Sequence, residues 1–288
     1  MKIVVIGKNG QLATELQQLN SDTNEITCLS RDDIDLLDKS NIEKTLLNLK
    51  PDAVINAAAY TAVDLAEKEA EKAKQINGYS VGYLAEICQL LSIHLVHVST
   101  DFVFDGSQST PYLTEDKRAP INMYGESKAI GEELLLQQLP KHSCIIRTSW
   151  VYSTHGNNFV KTMLSLMESK PELGIISDQI GTPTYAKTLA QACLYAAVEK
   201  LTGIYHWTDQ GVASWYDFAV AIQELALAKK LINKNIPIKA ISTTDYPTPA
   251  KRPHFSVLDK SKNVNVFPSD LIKHWRQQLD CMLSDLKK

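Results

Sequence analysis

Five short, almost unbroken apolar runs, each followed by a segment with helical spacing, set the fold class of this chain. The runs cover residues 2–6, 25–29, 52–56, 94–99 and 143–148. Strands this uniformly apolar are covered on both faces, as parallel strands are. Segments 11–19, 39–49, a long stretch within 70–91, and 124–136 carry helical patterns between them. Such alternation implies right-handed crossovers and a doubly wound parallel α/β sheet of Rossmann type, with helices on both faces. A chain of 288 residues, 44% hydrophobic, can bury that core and a smaller lobe besides.

The second half is less regular. Segments 159–167, 186–199, 214–226 and 270–286 read as helices, and 173–177 and 203–206 as further strands. Pro247, Pro249 and Pro253 remove N–H donors and fix φ, so 246–253 is expected to be an ordered loop. The charged stretch 67–74 fits a solvated helix face. The expected organisation is a dinucleotide-binding core over 1–150, joined by returning segments from about 173–206 and 237–260, with a mixed α/β substrate lobe over 151–288.

A net charge of −3 offers no electrostatic grip on nucleic acid or an anionic membrane. No run approaches the roughly 18 apolar residues of a membrane span, and the N-terminal run reads as a strand rather than a secretory signal. The five cysteines are scattered, without a Cys-x-x-Cys pair, as expected of reduced thiols in the cytoplasm. Cys28 and Cys144 fall in predicted strands and read as core residues. His94 and His97 stand three apart on a strand, face opposite ways and read as structural rather than as a metal pair.

Gly7-x-x-Gly10-x-x-Ala13 follows the first strand and opens a helix. Glycines there permit a tight turn and close approach of backbone to a pyrophosphate at a helix N-terminus. The second strand ends in Ser30-Arg31, where an acidic residue would accept from the ribose of NAD. Neither Ser30 nor Arg31 repels a 2′-phosphate, which favours NADPH; Asp33 and Asp35 follow closely and leave NADH open. The third strand ends in Asn56-Ala57-Ala58-Ala59-Tyr60-Thr61, whose small side chains leave room for a flat cofactor.

Tyr124 and Lys128, spaced i and i+4 at the start of a predicted helix, share one face. An ammonium beside a phenol, aided by the charge of an oxidised cofactor, lowers the phenol's pKa and suits it to protonate a carbonyl oxygen as hydride reaches its carbon. Thr100, ending the fourth strand, is placed to donate to the same carbonyl oxygen. In a parallel sheet all of these converge at the carboxyl edge, where the phosphate loop also lies. Gly125, between Tyr124 and Lys128, is attributed to close approach of a cofactor.

With these motifs, the chain resembles the extended short-chain dehydrogenase/reductases and, within them, the dTDP-4-dehydrorhamnose reductases. The match runs through Gly7–Leu12, Asn56–Asp64, Ser99–Gly106, Tyr124–Lys128, Arg147–Tyr152, Asp178–Thr184, Gly203–Trp207 and the late Arg252-Pro253 with Ser256 and Leu258. The resemblance implies reduction of the 4-keto group of dTDP-4-dehydro-L-rhamnose, with Thr100, Tyr124 and Lys128 as the catalytic set. The implied cofactor contacts are Gly7, Asn9, Gly10, Gln11 and Leu12; Ser30, Arg31, Asp35 and Leu36; Ala57, Ala58, Ala59 and Thr61; Val98, Tyr124 and Lys128. The implied substrate contacts are Val63, Thr100, Phe102, Val103, Tyr124 and Trp150, with Arg252 suited to a diphosphate. Ala13 departs from many relatives, which carry glycine there, and Ser30 from some, which carry an acidic residue. Some members use a divalent ion such as Mg2+. Glu15 is placed for one without a clear set of partner carboxylates, so no metal ligand is assigned. Two alternatives stand beside this one: a reductase of another nucleotide-linked 4-keto-6-deoxysugar, and a non-catalytic NADP-binding regulatory subunit of methionine adenosyltransferase. The partner expected is the small-molecule sugar nucleotide, with a homodimer left open.

Overall fold

A computed structural model describes residues 1–287. In the first half the chain runs β1 (Lys2–Ile6), α1 (Gln11–Gln17), β2 (Glu25–Leu29), α2 (Lys39–Leu49) and β3 (Ala53–Asn56). Short helices α3 (Val63–Ala66) and α4 (Ala70–Lys74) lead through a π-helical turn, Gln75–Tyr79, into α5 (Ser80–Leu91). β4 (His94–Thr100), α6 (Met123–Gln138) and β5 (Ser143–Thr148) complete this half. The second half contributes β6 (Val151–Tyr152), α7 (Phe159–Ser169), β7 (Leu173–Ile176), β8 (Ile180–Gly181), β9 (Thr184–Tyr185) and α8 (Ala186–Val198). It ends with β10 (Gly203–His206), β11 (Ala213–Ser214), α9 (Trp215–Ala228), β12 (Ile238–Ile241) and α10 (Trp275–Leu286).

Six strands form one sheet in the order β10-β5-β4-β3-β1-β2, every pairing parallel. The chain steps from β1 to β2 on one side and crosses back to β3 on the other, so the order reverses between β1 and β3 and opens a crevice at their carboxyl ends. Register aligns Ile6 with Asn56, Asn56 with His97, and Thr100 with Thr148, so the loops that follow share one rim. One face is buried against α1 and α8 through Leu12, Leu16, Leu189 and Cys193; the other against α2, α5 and α6 through Ile42, Leu46, Leu84 and Leu135. Cys28 and Cys144 lie in the first of these cores. A separate core, built from α7, α9 and α10 around Phe218, Ile222 and Leu279, forms the second lobe.

The expected return of later segments to the sheet needs correction. Segment 186–206 does return, as α8 and β10. Strands 173–176 and 238–241 instead pair with each other, parallel, outside it. Ile175 and Ile238 pack against the second core, so their burial is met without the large sheet. From the 237–260 stretch, only the later part reaches the first half: Tyr112 bridges to Leu258, and Asn122 donates to the Lys251 carbonyl.

The predicted long helix within 70–91 is interrupted. At the π-helical turn the Asn77 carbonyl presses on α6, where a Cβ at Gly131 would lie 2.2 Å from it. The Asn77 side chain bonds both the N–H and the carbonyl of Tyr60 and donates to Ser127, tying the loop after β3 to α6. A π-helical turn of this kind marks a local demand that overrides helical regularity.

Candidate active site

Gly7 takes φ +111°, and a Cβ there would lie 3.0 Å from the Ala58 nitrogen and 3.1 Å from the Ala57 carbonyl carbon. The turn after β1 therefore passes directly over the end of β3, and the positive φ together with this tight approach favours glycine. Gly10 then opens α1 in extended conformation without a side-chain cap, leaving N–H groups at the crevice unclaimed by a cap. Lys8, Asn9 and Gly10 are exposed, while the Leu12 side chain is buried in the core. Gln11 accepts from Asn158, the N-cap of α7, at 2.9 Å and so joins this loop to the second lobe. These features fit a dinucleotide.

Beyond β2, Ser30 is occupied: its N–H and hydroxyl both donate to Asp33, at 2.8 and 2.7 Å. Those bonds hold the Asp33 carboxyl below its ordinary pKa. The nearby acid thus serves its own loop. Arg31 is exposed, as is Asp35, which accepts from the Leu37 N–H; Leu36 packs partly on the core. Ala57, Ala58 and Ala59 are half-buried along the crevice, and Thr61 is exposed.

Thr100 caps the short 3-10 turn Asp101–Val103, accepting from the Phe102 N–H at 3.2 Å. Its hydroxyl donates to Asp101 at 3.0 Å. Asn122 N-caps α6, accepting from the Gly125 N–H at 2.8 Å, and sets Tyr124 and Lys128 in the first turns. Phe102 meets Tyr124 edge-on with ring centres 5.8 Å apart. Thr100 and Tyr124 are near enough for the hydroxyl to act on the phenol's ionisation. The expected lowering of that phenol by Lys128 is not found. Burial pushes Tyr124 up to about 12, the Thr100 hydrogen bond opposes the rise, and the Asp101 carboxyl adds to it. Lys128, 1% exposed, turns its Nζ to the Val98 carbonyl at 2.7 Å and to His97 Nε2 at 3.2 Å, and burial lowers its pKa to about 8.

Two further expectations change. Gly125 makes room for protein rather than cofactor, because a Cβ there would lie 2.1 Å from the Phe102 carbonyl oxygen. Arg252 is held in the protein: its guanidinium pairs with both carboxylate oxygens of Asp64, at 3.1 and 2.8 Å, a match of fork to fork. That pair ties the proline-rich loop to α3.

Among the substrate candidates, Val63, Phe102 and Trp150 are half-buried near the rim, whereas Val103 is fully buried among Phe104, Tyr112 and Leu258 and supports the loop from below. Trp150 has φ +49° and stacks on Trp215 with ring centres 3.6 Å apart; a Cβ at Gly181 would sit 2.8 Å from its ring. Glu15 accepts from Ser153 at 2.6 Å, and among the described residues no group of three His, Cys, Asp or Glu stands together. The donor set does not fit a resident divalent ion. Residues absent from the sequence-based set are Asn56, His97 and Asp101. Asp101 is 2% exposed, and burial raises its carboxyl to about 6 against the hydrogen bonds of Ser256 and Thr100.

A doubly wound sheet with a glycine turn at its switch point, and a hydroxyl, a phenol and a lysine on the same rim, defines a Rossmann-fold oxidoreductase of short-chain type. More narrowly, the chain belongs to the RmlD substrate binding domain family, whose model matches residues 1–288. It is 42% identical over 290 aligned positions to a dTDP-4-dehydrorhamnose reductase from Aggregatibacter actinomycetemcomitans, covering 96% of this chain and 97% of that one. A crystal structure of a dTDP-4-dehydrorhamnose reductase from Clostridium acetobutylicum superposes with a TM-score of 0.92 at 36% identity, covering 100% of both chains. A second, from Bacillus anthracis in complex with NADP, gives 0.91 at 32% identity, covering 99% of each.

Proposed function

We propose that this chain reduces the 4-keto group of dTDP-4-dehydro-L-rhamnose with NADPH to give dTDP-L-rhamnose. The observation that carries the proposal is that Thr100 with Tyr124, and the Gly7 turn over Ala57 and Ala58, follow the carboxyl ends of neighbouring strands of one sheet, with Lys128 bonded to the Val98 carbonyl, on a chain similar along nearly its whole length to reductases of that sugar nucleotide.

NADPH, when bound, supplies the hydride. The Gly7 turn and the uncapped start of α1 would receive its pyrophosphate, with Gln11 joining them to the second lobe. Asp33 is engaged by Ser30, and the exposed Arg31 guanidinium beside it would suit a 2′-phosphate, although Asp32 and Asp35 also stand exposed at this tip. Tyr124 holds a firmly bound proton at neutral pH, the form required to protonate the sugar oxygen as hydride reaches carbon. Thr100, held by Asp101, fixes the phenol's position. Lys128, two bonds of which now go to Val98 and His97, would hold the nicotinamide ribose.

The core over residues 1–150, completed by 186–206, binds cofactor, and the second lobe presents Trp150 and its neighbours to the sugar nucleotide. The test is consumption of NADPH by purified protein with enzymatically made dTDP-4-dehydro-L-rhamnose, beside a panel of other keto-sugar nucleotides. Turnover highest on the rhamnose precursor supports the proposal; turnover confined to another sugar, or to none, rejects it.

A further inference from the structure

Asn56, His97 and Lys128 form a line of polar side chains beneath the rim, each 1% exposed or less. Lys128 Nζ lies 3.2 Å from His97 Nε2, and His97 Nδ1 lies 3.3 Å from Asn56 Nδ2. Asn56 Oδ1 accepts the Ala58 N–H at 3.2 Å, within the alanine run that Gly7 overhangs. This last bond fixes the order of donors. With Oδ1 taken by Ala58, the Asn56 amide turns its NH2 to His97 Nδ1, which must accept. A neutral imidazole carries one proton, which then sits on Nε2 and points at Lys128. An ammonium has no lone pair to receive it, whereas a neutral amine has. A charged Lys128 therefore demands the other tautomer, with Nε2 accepting and Nδ1–H facing an Asn56 amide turned round and parted from Ala58.

We propose that His97 is a positioning residue for Lys128, in which the tautomer of the imidazole and the orientation of the Asn56 amide follow the charge on the lysine. The device connects the charge of the group proposed to hold the cofactor ribose to a backbone N–H at the cofactor crevice. Its bearing on catalysis rests on the proposed function; the coupling itself does not.

The surroundings suit it. Burial, and secondarily the charge of Lys128, keep His97 neutral far below its ordinary pKa. Burial brings Lys128 down to about 8, so its charge changes near working pH. The charged group facing Lys128 from its own helix is Glu132, which favours the ammonium but is itself bound by Arg147 of β5 through two bonds, at 2.9 and 2.8 Å, and by Arg118. Asp101 faces Tyr124 from the turn after β4. His97 is the titratable group from β4 that meets the ammonium directly.

Imidazole nitrogen NMR on the full-length ligand-free protein tests this without turnover, using His97→Gln to identify the His97 signals. The expected result is a neutral ring throughout, passing from the Nδ1–H to the Nε2–H tautomer as pH rises through about 8. In Lys128→Met the Nε2–H form should persist at every pH. A single tautomer across the range in the native protein, or the same exchange in Lys128→Met, overturns the proposal. In His97→Gln, whose amide can present oxygen to an ammonium, the pH dependence of NADPH affinity should move up by about one pH unit. An unmoved profile removes the positioning role.

Discussion

Thr100, Tyr124 and Lys128 stand out in the sequence as candidates because of spacing: four residues on a helix share a face, and parallel strands end together. What the spacing cannot supply is the company each keeps. The Tyr124 phenol is raised rather than lowered, because burial and Asp101 outweigh the Thr100 hydrogen bond and the lysine is turned toward His97. His97 reads as a core histidine in sequence, since its partners Asn56 and Lys128 lie 41 and 31 positions away. Arg252 likewise meets Asp64 across 188 positions, beyond any pattern. Replacing Tyr124 by Phe should reduce turnover by about 10²-fold or more while leaving NADPH affinity close to native, the scale for loss of a positioned proton donor; a variant with native turnover would remove Tyr124 from the chemistry. Arg31→Ala should raise the Michaelis constant for NADPH more than that for NADH. Equal effects on the two would dissolve the argument for a 2′-phosphate contact.

At the scale of elements, the runs that built the six-stranded sheet were readable because burial on both faces leaves no polar alternation. The short strands of the second lobe were not. β6, β8, β9 and β11 have two residues each, too few to carry a period. β7, though readable as a strand, pairs with β12 outside the large sheet, because the pattern names a buried face but not the sheet that buries it. The π-helical turn in 75–79 was equally hidden, since the Asn77 carbonyl at it meets Gly131 on another helix. Contact of the same kind explains Gly125. Adding a methyl group there, in Gly125→Ala, drives Cβ into the Phe102 carbonyl, so α6 must shift from the turn after β4. The expected cost is about 2–3 kcal/mol of stability, the range for overpacking a rigid contact, with reduced turnover because Tyr124 moves too. Native stability by denaturant titration would refute that account.

Across the whole molecule, burial sets the response to acid. His94 and His206 are pushed down to about 4 by burial, and His97 lies well below its ordinary value for the same reason. Their neutrality stabilises the fold above the free imidazole range, and that contribution is lost as pH falls. Asp101 and Asp209, raised by burial to about 6 and about 7, act in the opposite sense: the folded state holds their protons, and stability falls as pH rises through those values. Between about pH 5 and 6 three imidazoles stand against two carboxyls, leaving a net uptake of about one proton on unfolding. Unfolding free energy should therefore fall by about 1.4 kcal/mol per pH unit of acidification in that window, measurable by urea titration at several pH values. A slope of opposite sign would mean that the buried acids dominate.

Hydride delivery at the rim is tested most directly by isotope transfer. NADPH carrying deuterium at the transferable position of the nicotinamide should be incubated with the protein and dTDP-4-dehydro-L-rhamnose, and the product examined by NMR. The account predicts dTDP-L-rhamnose with deuterium at carbon 4 of the sugar, formed at a rate that falls about 10²-fold in Tyr124→Phe. Product lacking deuterium at that carbon, or no product at all from protein that binds NADPH, would contradict it.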